Sequence, residues 1–181
     1  MGTPCVIGRA TSPTAIYNYH YITVHYDGYL EDAGVLLLVF YNTEDKVNEL
    51  IRLGKLSVLG PTIGTEFNFN DVSEYYRRAR VQCISLHRDR GEHLVVGAAA
   101  NLKEFEYEEF VYIWKNGQWW YYRYGAHRKL LSDMITLDHL NKQCAYMKLR
   151  LPDYVDTPIY SILEDKIQVI ENFIKERSSG T

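Results

Sequence analysis

Apolar and polar residues change their spacing several times along the chain, and each spacing predicts a different element. Residues 4–10 are mostly apolar and predict a first short strand. Residues 16–27 alternate around Ile22 and predict a second strand, which we expect to pair with the first. The Asp27-Gly28 pair that closes this second segment is typical of a tight turn.

Four segments have the spacing of helices. Residues 31–41 are apolar on nearly every side and predict a buried helix. Asn42-Thr43 can cap the next helix, which carries one apolar stripe through Leu53 and is ended by Gly54. Residues 136–149 and 158–177 show helical patterns near the end of the chain. The sequence therefore predicts several helices, with two of them in a C-terminal extension.

The middle of the chain is less regular. Residues 55–59 predict a short turn or helical piece, and residues 72–80 a short helix that ends in a basic cluster. Residues 81–87 alternate weakly and predict a strand, after which residues 88–92 form a charged turn. Residues 94–100 are small and apolar and carry no firm prediction.

Two aromatic-rich runs between residues 107 and 124 flank an Asn116-Gly117 pair. Both residues tolerate positive φ, as a two-residue hairpin turn requires. Together with the other strands, this hairpin predicts an α+β fold: an antiparallel β-sheet with helices packed on one face and a C-terminal helical extension.

We divide the chain into an α+β core of residues 1–127, C-terminal helices of residues 128–177 packed on that core, and a disordered tail of residues 178–181. A length of 181 residues suits one such domain.

The net charge argues against two classes of protein. A formal net charge of −3 is far from the basic surface of a general nucleic-acid binder and from the large acidic surplus of a DNA mimic. Cys5, Cys83 and Cys144 are widely spaced and form no metal-binding pair, so we expect each to be a small core residue in a reducing compartment.

The composition and known signatures add three expectations. No apolar run approaches bilayer length and no secretory leader is evident at the first residues, so we expect a cytoplasmic protein that does not enter a membrane. No phosphate-binding glycine loop, nucleophile elbow or HExxH motif occurs, so no cofactor is expected and nothing requires a catalytic role.

One polar segment consists of His25, Tyr26, Asp27 and Tyr29 at the end of the second predicted strand. A histidine two residues before an aspartate at a strand end can act as a base, or both can bind a metal. The alternative is that Asp27 caps a turn and His25 lies at a strand edge.

A second polar segment contains His87, Arg88, Asp89, Arg90 and Glu92. Its two guanidinium groups suit the two-pronged binding of a phosphate or carboxylate. The alternative is a solvated turn whose ion pairs contribute little. Both segments contain His-x-Asp, so if their strands are neighbours, the two histidines and two aspartates would converge on a divalent-cation site.

The aromatic hairpin is the third candidate. Alternation sends about half of its rings to the core and leaves the other half for contact, and we take Trp119 and Tyr121 as binding candidates. Tyrosine and tryptophan provide large contact areas at low entropic cost and stack on nucleobases. The alternative is that the C-terminal helices cover these rings.

Four stretches of the sequence are considered together, in their order along the chain: residues 24–29 (Val-His-Tyr-Asp-Gly-Tyr), 47–60, 86–92 (Leu-His-Arg-Asp-Arg-Gly-Glu) and the aromatic hairpin at 107–122. In order and spacing they resemble a family of uncharacterised phage and prophage proteins with a Cys-His-Trp-Asp-Gly-Tyr strand end and a His-Arg-Asp-Arg-Gly-Glu turn. The resemblance covers residues 4–125 and departs at Val24, Tyr26 and Leu30, where the family has Cys, Trp and Pro.

This resemblance implies a context, a phage protein in the host cytoplasm, and not an activity. Our first hypothesis is a binding protein that counters a host defence by sequestering a nucleotide-like signal or occluding a host protein. The second is an oligomeric or virion-associated module with an aromatic homo-oligomer interface. The third is a metal-dependent hydrolase or nuclease that uses His25, Asp27, His87 and Asp89, with Glu92 as base or further ligand.

Overall fold

The computed structural model describes residues 2–11 and 18–180 of the chain. Residues 12–17, which include the start of the predicted second strand, lie outside the described residues. The described residues form one eight-stranded sheet. Its strands are β1 Cys5–Ala10, β2 Tyr19–Val24, β3 Leu56–Val58, β4 Ile84–Ser85, β5 Gly97–Ala99, β6 Val111–Lys115, β7 Gln118–Tyr122 and β8 Lys129–Leu130.

The strands follow the order β4-β3-β2-β1-β6-β7-β8, and β5 pairs with β2 beside β3. The expected antiparallel pairing of β1 with β2 is confirmed, with Ile7 opposite Ile22. The sheet is mixed where an antiparallel one was expected, since β1 runs parallel to β6 and β2 runs parallel to β3. Both parallel pairs are separated by long connections, and such connections allow a strand to return in the same direction.

Seven α-helices are described: α1 Val35–Phe40, α2 Glu44–Arg52, α3 Val72–Arg78, α4 Leu86–Arg90, α5 Leu131–Met134, α6 Leu137–Arg150 and α7 Pro158–Ser179. A π-helical turn, Leu30–Gly34, leads directly into α1, and short 3-10 helices cover Leu102–Phe105 and Leu151–Tyr154. The chain thus has the expected α+β fold with a long C-terminal helix.

Helices α1, α2, α6 and α7 pack on one face of the sheet. Tyr112 and Trp114 of β6 join one large buried cluster with residues of α1, α2, α6 and α7, such as Leu50, Leu140 and Ile170. The C-terminal helices therefore share the main core. The alternate residues of β6 point to the other face, where a smaller apolar cluster includes Val111 and Phe105.

Several local predictions are confirmed. The side chain of Thr43 accepts a hydrogen bond from the backbone N–H of Lys46 at the start of α2, and Gly54 after it has a φ of +71°. In the hairpin, Asn116 and Gly117 have φ values of +54° and +73°, as the predicted turn requires.

Other local predictions are wrong. Residues 55–59 contain the strand β3, and only Ile84–Ser85 of the predicted strand 81–87 is a strand, because α4 begins at Leu86. Helix α7 continues through Ser179, into the segment predicted to be a disordered tail, and Ser178 donates a hydrogen bond to the Ile174 carbonyl oxygen.

The three cysteines are buried and free, as expected for core residues. None of the helices within residues 2–11 and 18–180 is both long and apolar enough to cross a membrane.

Candidate functional site

An open cleft of about 530 Å³ lies where the ends of β2 and α4 meet β3 and α3. We call it the tyrosine cleft, after the tyrosines in its walls. Its aromatic walls are Tyr26, Phe69, Tyr75 and Tyr76, and its charged or titratable groups are His25, Lys55, Arg90 and Glu92. It contains one part of each polar segment that the sequence singled out.

His25 and Tyr26 are held in the cleft by the backbone of the neighbouring strand. Their N–H groups donate hydrogen bonds of 3.0 Å to the carbonyl oxygens of Leu56 and Ser57, which extends the pairing of β2 with β3 beyond Val24. The two rings meet edge to face with centroids 4.4 Å apart. Both side chains are exposed, so they are available to a ligand.

Arg90 and Glu92 come from the end of α4, which is a short and well-capped helix. The Ser85 hydroxyl accepts a hydrogen bond from the N–H of Arg88 at its start, and Gly91, with a φ of +77°, ends it. The Arg90 guanidinium lies 5.2 Å from the centroid of the Phe69 ring and 3.4 Å from the Glu92 carboxylate. Arg90 is exposed and its pairing with Glu92 is loose, so it can bind a further anion.

The aromatic wall is an edge-to-face series of rings. Phe69 contacts Tyr75 at 5.1 Å, and Tyr75 contacts Tyr76 at 5.6 Å between centroids. The Tyr75 hydroxyl is 2.7 Å from the Ser57 hydroxyl, and burial raises the pKa of Tyr75, so the ring is neutral at physiological pH. Tyr76 is 69% exposed and leaves a ring face for stacking.

The charges in the cleft are unbalanced. Lys55 and Arg90 face Glu92 as the one carboxylate among the lining residues, and the His25 imidazole lies in the same lining. Lys55 makes no ion pair with any residue in the described part of the chain. The cleft therefore combines rings with an excess of cationic over carboxylate groups, which suits a planar anion.

Arg88 and Asp89 form hydrogen bonds within the fold and do not line the cleft. The buried Asp89 carboxylate accepts hydrogen bonds from Arg88 and from the Ser85 backbone N–H, each at 2.8 Å. Arg88 also donates to the carbonyl oxygens of Ile63 (2.9 Å) and Cys83 (2.7 Å). The contacts with Ser85, Ile63 and Cys83 tie α4 to neighbouring segments, so the Arg88 guanidinium is occupied within the fold, contrary to the prediction that it binds phosphate.

Asp27, Tyr29 and His87 are not among the residues that line the cleft, although Asp27 lines an adjoining pocket that shares Tyr26, Tyr75 and Tyr76 with it. Asp27 is 3.7 Å from Arg80, the Tyr29 ring packs against Phe110 with centroids 5.7 Å apart, and His87 donates from Nδ1 to the Glu92 carbonyl oxygen at 2.7 Å.

The predicted cation site would need His25, Asp27, His87 and Asp89 to converge. No group of three or more His, Cys, Asp or Glu side chains in the described residues is placed to hold a metal ion. The structure brings together one residue pair from each segment, not the two His-x-Asp pairs.

Trp119 and Tyr121 are buried in the main core. Trp119 donates from its indole nitrogen to the Tyr41 carbonyl oxygen at 2.8 Å, and Tyr121 packs against Tyr112 with centroids 5.7 Å apart. Because β7 alternates, these two side chains face the helices, so the prediction that they offer contact area is wrong.

The sequence reasoning missed Lys55, Ser57, Phe69, Tyr75 and Tyr76 as parts of a site. Lys55 and Ser57 were missed because residues 55–59 were predicted to be a turn or helical piece. The apolar run Ser57-Val58-Leu59, between two glycines, is also compatible with a short buried strand. The Tyr75-Tyr76 pair precedes two arginines and resembles a solvated helix end. Only the tertiary structure places it opposite His25 and Arg90.

Comparisons with protein-family models, curated proteins and solved structures find no match to this chain.

Proposed function

We propose that this chain is a binding protein and that the tyrosine cleft holds a nucleotide-like ligand, a planar ring that carries phosphate. The observation that carries the proposal is the charge imbalance among rings: Lys55 and Arg90 outnumber the single carboxylate of Glu92 in the lining. Cationic side chains beside stackable aromatic faces are the features that recognise the two halves of a nucleotide.

The aromatic and the cationic groups of the cleft would bind different parts of the ligand. Tyr76 and Tyr26 are 69% and 40% exposed, so each presents a ring face to a base. Arg90 is braced by the Phe69 ring, which limits its freedom and lowers the entropic cost of binding an anion. A volume of about 530 Å³ falls within the range of small-molecule sites.

The proposal is binding and not reaction. The Ser57 hydroxyl meets the Tyr75 hydroxyl, whose raised pKa keeps it protonated and makes it a poor base for activating Ser57. Arg88 and Asp89 are committed to the fold. What the described cleft offers is a shaped, cationic surface.

The resemblance to phage proteins gives the proposal a biological context. A phage protein that removes a nucleotide signal from the host cytoplasm would blunt a defence that depends on that signal, and this would require affinity alone. Occlusion of a host protein is the other form of the same hypothesis, but the concave shape and the volume of the cleft favour a small ligand.

Calorimetric titration with AMP, adenosine and inorganic phosphate tests the proposal. We expect AMP to bind more tightly than either part, because only AMP fills both the aromatic and the cationic subsites. Arg90→Gln should weaken AMP binding by roughly tenfold or more, the loss expected for one charge-assisted hydrogen bond. Lys175→Gln, which removes an exposed positive charge from α7, is the matched control and should leave the affinity unchanged.

Three results contradict the proposal. The first is adenosine binding as tightly as AMP, which would mean that the cationic groups take no part. The second is an Arg90→Gln protein that binds AMP like the unmodified chain. The third is an absence of measurable AMP binding by the folded protein.

A further inference from the structure

A second cavity, of about 710 Å³, lies between residues 102–107 and residues 122–128. It shares no lining residue with the tyrosine cleft. Its floor includes Phe105 and Val111, which belong to the smaller apolar cluster on the sheet face opposite the long helices. We call it the hairpin cavity, because the end of the β6–β7 hairpin forms one of its walls.

Three tyrosines line the hairpin cavity, and the rings of two of them contribute little buried surface to the fold. Tyr107 is 86% exposed and Tyr124 is 59% exposed, so these rings bury little of their apolar surface within the chain. Tyr122, at the end of β7, is partly buried beside them. Large exposed rings gathered around a concavity are typical of a ligand site.

The backbone at Tyr124 is held in an unfavourable conformation. Its φ of +48° lies in the left-handed region, which costs a bulky residue more than it costs the next residue, Gly125, at +67°. The Ala126 N–H closes this turn on the Arg123 carbonyl oxygen at 3.0 Å, and the Tyr124 N–H donates to the Glu108 carbonyl oxygen at 3.0 Å. A glycine would satisfy the same turn without strain, so the turn itself does not require the tyrosine ring.

The polar groups of the hairpin cavity favour an anion. Lys103, His127 and Arg128 line it together with a single carboxylate, that of Glu106. Neither Lys103 nor Glu106 forms an ion pair with a residue in the described ranges. The Arg128 guanidinium stacks 4.6 Å from the Trp120 ring centroid, which fixes its position at the wall.

We propose that the hairpin cavity is a second binding site, which takes an aromatic compound bearing a phosphate or carboxylate group. Tyr124 supplies a stacking ring on a constrained turn, and Lys103 and Arg128 supply charge. The inference rests on this cavity alone, so it stands or falls separately from the tyrosine cleft.

Titration with 1-naphthyl phosphate tests the inference in Arg90→Gln protein, in which the charge of the tyrosine cleft is reduced. Tyr124→Gly removes the ring and retains a residue suited to the left-handed turn. We expect it to weaken binding by roughly tenfold, the loss of one stacking contact, while the thermal midpoint stays the same or rises. Asn116→Gly makes the same backbone change at the β6–β7 turn, outside the cavity lining, and should leave binding unchanged.

A second pair of substitutions tests the charged groups of the hairpin cavity. Lys103→Gln with Arg128→Gln should weaken 1-naphthyl phosphate but leave the uncharged 1-naphthol little affected. The inference is overturned if Tyr124→Gly binds within twofold of its parent, or if 1-naphthol binds as tightly as its phosphate. Loss of AMP binding in Arg90→Gln alone, with the Tyr124→Gly effect absent, would uphold the tyrosine cleft and reject the hairpin cavity.

Discussion

Helices α2 and α3 are similar in length and capped in the same way, yet different forces hold them. Each begins with a side chain, Thr43 or Asp71, that accepts a hydrogen bond from a backbone N–H three residues later. Helix α2 then buries Val47, Leu50 and Ile51, whereas α3 buries none of its residues. Helix α2 is therefore part of the core, whereas α3 is attached to the surface of the fold and forms a wall of the tyrosine cleft.

Polar contacts from the C-terminal extension attach α3. Arg150, the last residue of α6, donates to the carbonyl oxygens of Tyr76 (3.1 Å), Arg77 (3.0 Å) and Ala79 (3.4 Å). These carbonyls are at the end of α3, where no helical partner remains for them. Because Tyr75 and Tyr76 line the tyrosine cleft, the C-terminal extension helps to fix a wall of the proposed site.

The largest expected effect is in α2. Leu50→Ala leaves a cavity in the main core and should lower the free energy of unfolding by about 2–5 kcal/mol. Val72→Ala in α3 is the matched control, because Val72 is 66% exposed and its truncation should change stability by less than about 0.5 kcal/mol. Urea unfolding measures both, and equal losses would contradict the contrast between the two helices.

The next effect concerns Arg150. Arg150→Met removes the donors to the end of α3 and should lower the free energy of unfolding by about 1–3 kcal/mol, because the carbonyl acceptors lose a partly buried charged donor. Hydrogen exchange should become faster in α3 and remain slow in α2. Lys142→Met removes another charge from α6, at an exposed pair with Asp138, and should leave exchange in α3 unchanged. Unchanged α3 exchange in Arg150→Met would mean that other contacts hold the helix.

A smaller effect separates the two tyrosines of α3. Tyr75→Phe removes the hydroxyl that meets Ser57 and should cost about 0.5–1.5 kcal/mol, the net value of one hydrogen bond. Tyr76→Phe makes the same chemical change at a residue that is 69% exposed, and it should be neutral in thermal unfolding. If the two variants have the same midpoint, the contact with Ser57 contributes nothing to stability.

The same contrast explains how far the sequence predicted the fold. Helix α2 was predicted almost to the residue because an apolar stripe, a capping Thr43 and the terminal Gly54 all agree. Strand β3 was missed because Leu56, Ser57 and Val58 are all buried and show no alternation. Short segments buried on both sides carry too little pattern to separate strand from turn.

The site shows a different limit. Arg88 and Arg90 are two residues apart with the same chemistry, yet Arg88 is tied to the fold and Arg90 is exposed in the cleft. Local sequence ranks both as anion-binding candidates, since only the packing of α4 against residues 63–64 and 83 decides which guanidinium is occupied. The strand-end position of His25 and Tyr26, by contrast, follows from local alternation and was predicted.

The smallest expected effect is a pH dependence at the chain segment just beyond α3. Arg80 forms an ion pair with Asp32, in the π-helical turn before α1. Burial raises the pKa of Asp32 to about 6 even though Arg80 acts in the opposite direction. A carboxyl whose pKa is raised by folding binds its proton more tightly in the folded state. Its contribution to stability is therefore fully present below pH 4 and is lost as the pH rises through 6.

Asp32→Asn should remove this component. Between pH 4 and pH 7, the free energy of unfolding of the variant, measured in urea, should fall less or rise more than that of the unmodified chain. Asp45→Asn removes an exposed carboxylate from the first turn of α2 and provides the control, since it does not contact Arg80. A pH profile that is the same for Asp32→Asn and the unmodified protein would show that Arg80 keeps Asp32 ionised in the folded state. In that case α3 would be bordered by an ordinary ion pair and would resist a change of pH as well as α2 does.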